Sequence, residues 1–217
     1  MVGEPADAAL LRFAESAIDV ARLREEYPKC AEGLWSSEHR YQLSVHELTD
    51  DTSVIGHLVL MRASAATILD YCTSIILDGE VRPLDDELRE RCVVAMDLLA
   101  AHGERVHGLA QRVLPIAEFP AGFAFDVIDL NFPLVCACHN GGTRIARSNG
   151  GGPIAMLVGP QSAFAFIGFV GLLDPARTEI PPAVQACREA SIKVVVTTGD
   201  HAETAKVGDL HLSMAEV

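Results

Sequence analysis

YQLSVHELTDDTSVIGHLVLM (41–61) carries the reading of the fold. Tyr41, Leu43 and Val45 alternate with Gln42, Ser44 and His46, the period-two pattern of a strand with one buried face. Asp50-Asp51 marks a turn, and Ile55 to Met61 reads as the antiparallel neighbour. Upstream, Asp7 to Tyr27 sets Leu10, Leu11, Ala14, Ile18 and Ala21 at helical spacing and ends before Pro28, with a polar loop after it. Downstream, Ala63 to Tyr71 reads as a helix and Ser74 to Leu77 as a strand closed by the turn signal Asp78-Gly79.

Leu84 to Ala101 is the clearest helix. It follows Pro83, opens with Asp85, Asp86 and Glu87 at the positive end of the helix dipole, and stops near Gly103. Val106 to Leu114 reads as a strand, and Pro115 to Pro133 as a loop pinned by Phe119, Phe123, Phe125 and Phe132. Ala137 to Gln161 is glycine-rich and without period. Beyond it the pattern changes. Phe166 to Leu172 and Lys193 to Thr197 are continuous apolar runs flanking a helix at Pro182 to Ala190, which predicts a βαβ unit with a parallel pair. The chain therefore divides into an antiparallel α+β part (1–135), an irregular insert (136–163) and the start of an α/β part (164–217).

The formal charge of −13 repels DNA, RNA and anionic membranes, so nucleic acid is excluded as a partner, while a small anion held by a few arginines is not. Six cysteines are scattered through apolar segments rather than spaced as a disulfide framework, and the N-terminus has no basic-then-apolar leader. A reducing, cytoplasmic setting is expected. From Ser148 to Leu173 no residue is charged, but Gly159-Pro160-Gln161-Ser162 interrupts a would-be membrane helix, and a loop running into a buried strand is the better reading.

Chemistry is concentrated in a few places. Thr198-Gly199-Asp200 follows the second parallel strand, at the carboxyl edge where open α/β sheets bind ligands, and Asp174-Pro175-Ala176-Arg177 ends the first. Taken alone, Thr198-Gly199-Asp200 fits an ordinary strand-to-helix turn capped by Asp200 better than a phosphate loop. Cys136-Ala-Cys138-His139 offers at most three soft ligands with no second cluster, and is read as loop thiols rather than a metal centre. There is no GxxxxGK[ST], GxGxxG or GxSxG, so Walker-type ATPase, dinucleotide oxidoreductase and serine hydrolase lack their motifs. No DxDx follows any strand, which removes a haloacid-dehalogenase-type phosphatase. Trp35, the sole tryptophan, either caps a core or offers a stacking face. Arg40, Arg62 and Arg105 sit at strand ends, suited to bidentate phosphate contacts, with surface salt bridges as the plainer alternative.

Taken in order, GEPADAALL (3–11), RYQLSVHE (40–47), LVLMR (58–62), ASAATILDYC (63–72), PLDDELRE (83–90), GERVHG (103–108), FPAGFAFDVIDLNFP (119–133), FVGLLDPAR (169–177) and IKVVVTTGDHAETAK (192–206) form one pattern. It resembles the large cytoplasmic loop of P-type cation-transporting ATPases, closest to the sodium/potassium-ATPase alpha-subunit group. The resemblance implies an α+β nucleotide-binding domain, an antiparallel sheet with flanking helices, followed by a partial α/β haloacid-dehalogenase-like phosphorylation domain. Trp35 falls where the family has the Phe that stacks on adenine. Asp7 replaces a Glu at the adenine end, and Gln42 matches a pocket Gln. Arg40 replaces a pocket Lys, and Arg62 the Lys of the KGAPE motif, with Ala63 in place of its Gly. Arg105 matches an Arg that reaches the phosphates. Thr198, Gly199 and Asp200 match the loop around the phosphorylation site.

The implied ligands are ATP and Mg²⁺, and the implied partners are the remaining pump domains and the transmembrane helices, at the cytoplasmic face of a plasma membrane. The phosphorylated Asp of the family's DKTGTLT motif is expected upstream of residue 1 and the GDGVND segment downstream. This chain by itself is expected to be inactive and soluble. Residues 136–163 and 207–217 leave the family pattern, and the expectation is that they are not selected protein. The competing reading is a non-catalytic remnant or interaction protein that keeps the fold without the activity.

Overall fold

The structure is a computed structural model that describes residues 5–35, 40–50, 53–126, 135–136, 144–145, 164–174, 177–195 and 197. Its centre is the pair predicted from the alternating stretch: β2 (Tyr41–Thr49) runs antiparallel to β3 (Val54–Ser64). Tyr41 faces Ala63, Leu43 faces Met61 and Val45 faces Val59, and all six are buried. Gln42, Ser44 and His46 lie opposite Arg62, Leu60 and Leu58, on the other face. Period-two patterning thus decides which face of β2 is buried, whereas β3 carries Leu58 and Leu60 on its other face and shows no such alternation.

The helical stretch at the N-terminus forms two helices, α1 (Pro5–Ala17) and α2 (Val20–Glu26), where one was expected. Asp19 breaks the run, since its carboxylate accepts a hydrogen bond from the Arg22 N–H (3.1 Å) and so starts a new helix. The presumed polar loop contains β1 (Lys29–Gly33), paired antiparallel to β2. Strand β3 runs through Ser64, which then caps α3 (Ala65–Asp70): the Thr67 N–H donates to Ser64 Oγ at 3.3 Å. Strands β4 (Cys72–Leu77) and β5 (Glu80–Pro83) form the hairpin around Asp78-Gly79, both at positive φ. Helix α4 (Asp86–Ala101) is capped by Asp85, whose carboxylate accepts from the Leu88 N–H at 2.8 Å. Arg89 of α4 donates to the carbonyls of Leu69 (2.7 Å) and Cys72 (2.9 Å), closing the C-terminal end of α3.

Strand β6 (Arg105–Pro115) follows, then the two-residue strands β7 (Val135–Cys136) and β8 (Arg144–Ile145), which pair with each other. Strand β9 (Phe164–Leu172) and helix α5 (Ile180–Glu189) complete the described elements. The main sheet is mixed, in the order β1-β2-β3-β6-β9-β4-β5. Here the expectation is corrected. The apolar run at β9 is a strand, but its parallel partner is β4, with Cys72 facing Phe164 and Ile75 facing Phe166. Residues 192–195 form no strand, so the predicted βαβ pair is not made among the described residues. No helix of the described residues is long and apolar enough to cross a membrane, and Phe164–Leu172 of the uncharged run is strand.

The chain forms two compact units, Met1–Arg89 with Gly108–Phe169, and Glu90–His107 with Val170–Val217. In the first, the core gathers Leu43, Val45, Val59, Met61, Ile68, Cys72, Leu114 and Phe164, each nearly or wholly inaccessible to solvent. In the second, Val184 of α5 and Ala100 of α4 are buried.

Candidate functional site

The polar face of the β1–β2–β3 segment is where side chains converge. Alternation along β2 turns Gln42 and Ser44 to this face, and antiparallel register puts Arg62 opposite Gln42 and Glu32 opposite Ser44. Helix α1 lies over them through Asp7 and Leu10. Together with Leu43, Leu60, Met61 and Leu109 these residues line a cleft of about 270 Å³ within the first unit. Mostly apolar walls with a few polar groups are the usual make-up of a small-molecule site.

Charge in the cleft is paired. The Arg62 guanidinium, only 14% exposed, contacts Asp7 through Nη2 and Oδ1 at 2.6 Å. Its Nε is buried with no hydrogen-bond partner among the described residues, a donor left without an acceptor. Gln42 donates from Nε2 to Glu32 at 3.4 Å, so the amide is loosely held and free to turn toward a ligand. Beside them, the His46 ring spans Ser44 Oγ and the Tyr27 carbonyl, both at 3.0 Å, tying β2 to the end of α2.

Of the residues singled out from sequence, Asp7, Gln42 and Arg62 come together here. Trp35 follows β1 with its indole 42% exposed and does not line the cleft. Arg40 stands immediately before β2, exposed and at φ 57°, a left-handed conformation unusual for a residue other than glycine, and it does not line the cleft either. Arg105 opens β6 and belongs to the second unit. Thr198, Gly199 and Asp200 lie outside the described residues, as do Cys138 and His139. Glu32 and Leu10 were missed. Glu32 sits on a strand too short and too exposed to show a pattern, and Leu10 was read only as a helix spacer.

The profile of the family described as P-type ATPase, cytoplasmic domain N, matches residues 1–179. The chain belongs to that family. This N-domain chain is 38% identical over 207 residues to the sodium/potassium-transporting ATPase subunit alpha-1 of Oreochromis mossambicus, covering 95% of its own length and 18% of that protein. It is 37% identical over 205 residues to subunit alpha-2 of Bos taurus, covering 94% of itself and 17% of the relative. The N-domain chain thus spans less than a fifth of the length of these relatives. The mixed sheet with flanking helices accords with the α+β domain that the sequence resemblance implied.

A nucleotide fits the residues present. Leucine side chains offer flat apolar walls for a base, the carboxylates of Asp7 and Glu32 can accept from an exocyclic amine, and Arg62 has an unused donor.

Proposed function

We propose that this chain is the ATP-binding part of a P-type cation pump of the sodium/potassium-transporting type. The observation that carries the reading is the convergence of Asp7, Gln42 and Arg62, from three elements, on one cleft. Adenine enters between Leu10, Leu60 and Leu109. Asp7 and Gln42 hydrogen-bond its edge; Trp35, at the position of the family's stacking Phe, stands outside the cleft and keeps only the stacking role that the resemblance implies. Arg62 keeps the positive charge of the family's Lys and adds a planar fork, which recognises oxygen acceptors in pairs. Arg40 is assigned to the electrostatic pull on the phosphates, and Arg105, in the second unit, keeps only the phosphate role that the resemblance implies.

Phosphoryl transfer in the family uses an Asp in DKTGTLT, and no such motif occurs in these 217 residues. The role of this chain is to bind and orient the nucleotide. Mg²⁺ neutralises the phosphates when bound. Thr198, Gly199 and Asp200, in the partial haloacid-dehalogenase-like part, are proposed to hold the transferred phosphoryl group through hydroxyl, backbone and carboxylate. Hydrolysis and cation transport belong to the intact membrane pump.

Because Trp35 is the only tryptophan, its fluorescence reports nucleotide binding to this chain without a second indole in the signal. Saturable quenching by ATP is expected, with Arg62→Ala weakening it by about tenfold, or ~1.4 kcal/mol. A folded chain that neither quenches nor binds at millimolar ATP would overturn the reading.

A further inference from the structure

Away from the cleft, three potential metal ligands meet on the other face of the same strands. One ligand atom each from Cys30, Glu47 and His57 lies within 4.8 Å of the other two. Glu47 and His57 are directly opposed across the β2–β3 pair. Glu47 shares its face with Leu43 and Val45, whereas the cleft uses Gln42 and Ser44.

Cys30 reaches this face because β1 bulges there. Lys29 stands opposite His46 and Ala31 opposite Val45, which leaves Cys30 as the extra residue. A bulge of this kind re-aims a side chain that regular pairing would place elsewhere. The Pro28 carbonyl accepts the Glu47 N–H at 2.9 Å and fixes the entry to the bulge.

His57 supplies a second, independent sign. Its ring is 1% exposed, stacked edge-on to Phe125 at 4.9 Å, yet Nδ1 is buried with no hydrogen-bond partner among the described residues. An orphaned buried ring nitrogen costs free energy unless something binds it. Packing alone gives no reason for an imidazole here, since an apolar side chain would fill the space without that cost.

We propose that Cys30, Glu47 and His57 bind one divalent transition-metal ion of the zinc type. Thiolate, carboxylate and imidazole together favour zinc, or cobalt in its place, over magnesium or calcium, which take oxygen ligands. On a shared tetrahedral ion these atoms stand roughly 3.3–3.6 Å apart, from bond lengths of about 2.0–2.3 Å. From separations of up to 4.8 Å the required closure is about 1.2–1.5 Å, supplied by rotation of the exposed Cys30 and the half-buried Glu47 side chains toward His57. Three protein ligands leave a fourth position for water, and Cys30 is the entry path.

Without metal, burial and the neighbouring Glu47 raise the Cys30 pKa, and burial lowers that of His57. The apo cluster thus holds a thiol and a neutral imidazole. Metal binding forms the metal–sulfur bond and releases the thiol proton to solvent.

The test uses the full chain, reduced and metal-free, with Cys136→Ser and Cys138→Ser removing the other thiol pair. Titration with Co²⁺ is expected to give one equivalent and a thiolate-to-cobalt charge-transfer band that Cys30→Ser abolishes. His57→Gln is expected to weaken binding by about tenfold or more. In the unsubstituted chain, Zn²⁺ is expected to protect Cys30 from iodoacetamide, read by peptide mass mapping, so the result does not depend on any variant folding. A band that survives Cys30→Ser, or alkylation of Cys30 at the same rate with and without Zn²⁺, would overturn the proposal.

Discussion

Tyr41 shows how one side chain carries several obligations at once. It begins β2, buries its ring edge-on to Tyr71 at 5.7 Å, and is 7% exposed. Burial, with the nearby Tyr71 adding to it, pushes its phenol up to about 12. The folded state therefore holds this proton more tightly than the unfolded chain, where tyrosine titrates near ~10. The resulting stability is complete below about pH 10 and is lost as pH rises through about 12. Urea unfolding of the protein and of Tyr41→Phe across this range should show the stability gap between them closing as pH rises. A gap constant with pH would mean that the phenol titrates normally. The same residue was legible in sequence as the first apolar position of the alternating stretch. Its partner Tyr71 was not, because nothing local says that the residue after α3 returns to the start of β2.

At the scale of elements, glycine decides how closely α3 approaches β6. A Cβ on Gly108 would sit 2.8 Å from Cβ of Ile68, a side chain with no solvent exposure in the middle of α3. Because Ile68 is β-branched and packed on every side, it has no free rotamer to escape into. Gly108→Ala should destabilise the fold by about 2 kcal/mol, as overpacking does. Combined with Ile68→Ala it should cost less than the sum of the two single changes, and strict additivity in denaturant midpoints would sink this account. Strand β2 was readable in sequence from its alternation, β3 and β6 as strand-like runs, and α4 from the signals at its two ends. Strands β1 and β5 were not: every residue of β5 is exposed, and in β1 only Ala31 and Gly33 are half-buried. They owe their order to hydrogen bonds with β2 and β4, which are invisible to local patterning.

Over the whole molecule, stability is unevenly spread. Helices α1 and α2 contain no buried residue, while β2 and β3 hold Leu43, Val45, Val59 and Met61 at the centre of the first unit. Amide exchange should be slowest in β2 and β3 and fast in α1, since opening α1 exposes little apolar surface. Yet α1 brings Asp7 and Leu10 to the cleft. ATP should therefore slow exchange in α1 selectively, by holding it against the sheet. Protection unchanged in α1 at saturating ATP would place the nucleotide elsewhere.

Alternation at 41–46 and the turn signal Asp50-Asp51 were enough to specify the central antiparallel pair and the buried face of β2, because side-chain direction in a strand repeats every two residues; its register was decided by the fold. The ordered motifs likewise carried family membership. Three further things came only from the folded chain. The apolar run at β9 is equally at home beside any strand, and long-range pairing put it next to β4. The contact of Asp7 with Arg62 joins residues far apart in sequence through the docking of α1 on the sheet. The meeting of Cys30, Glu47 and His57 depends on a bulge and a cross-strand pair, and spacing along the chain encodes neither.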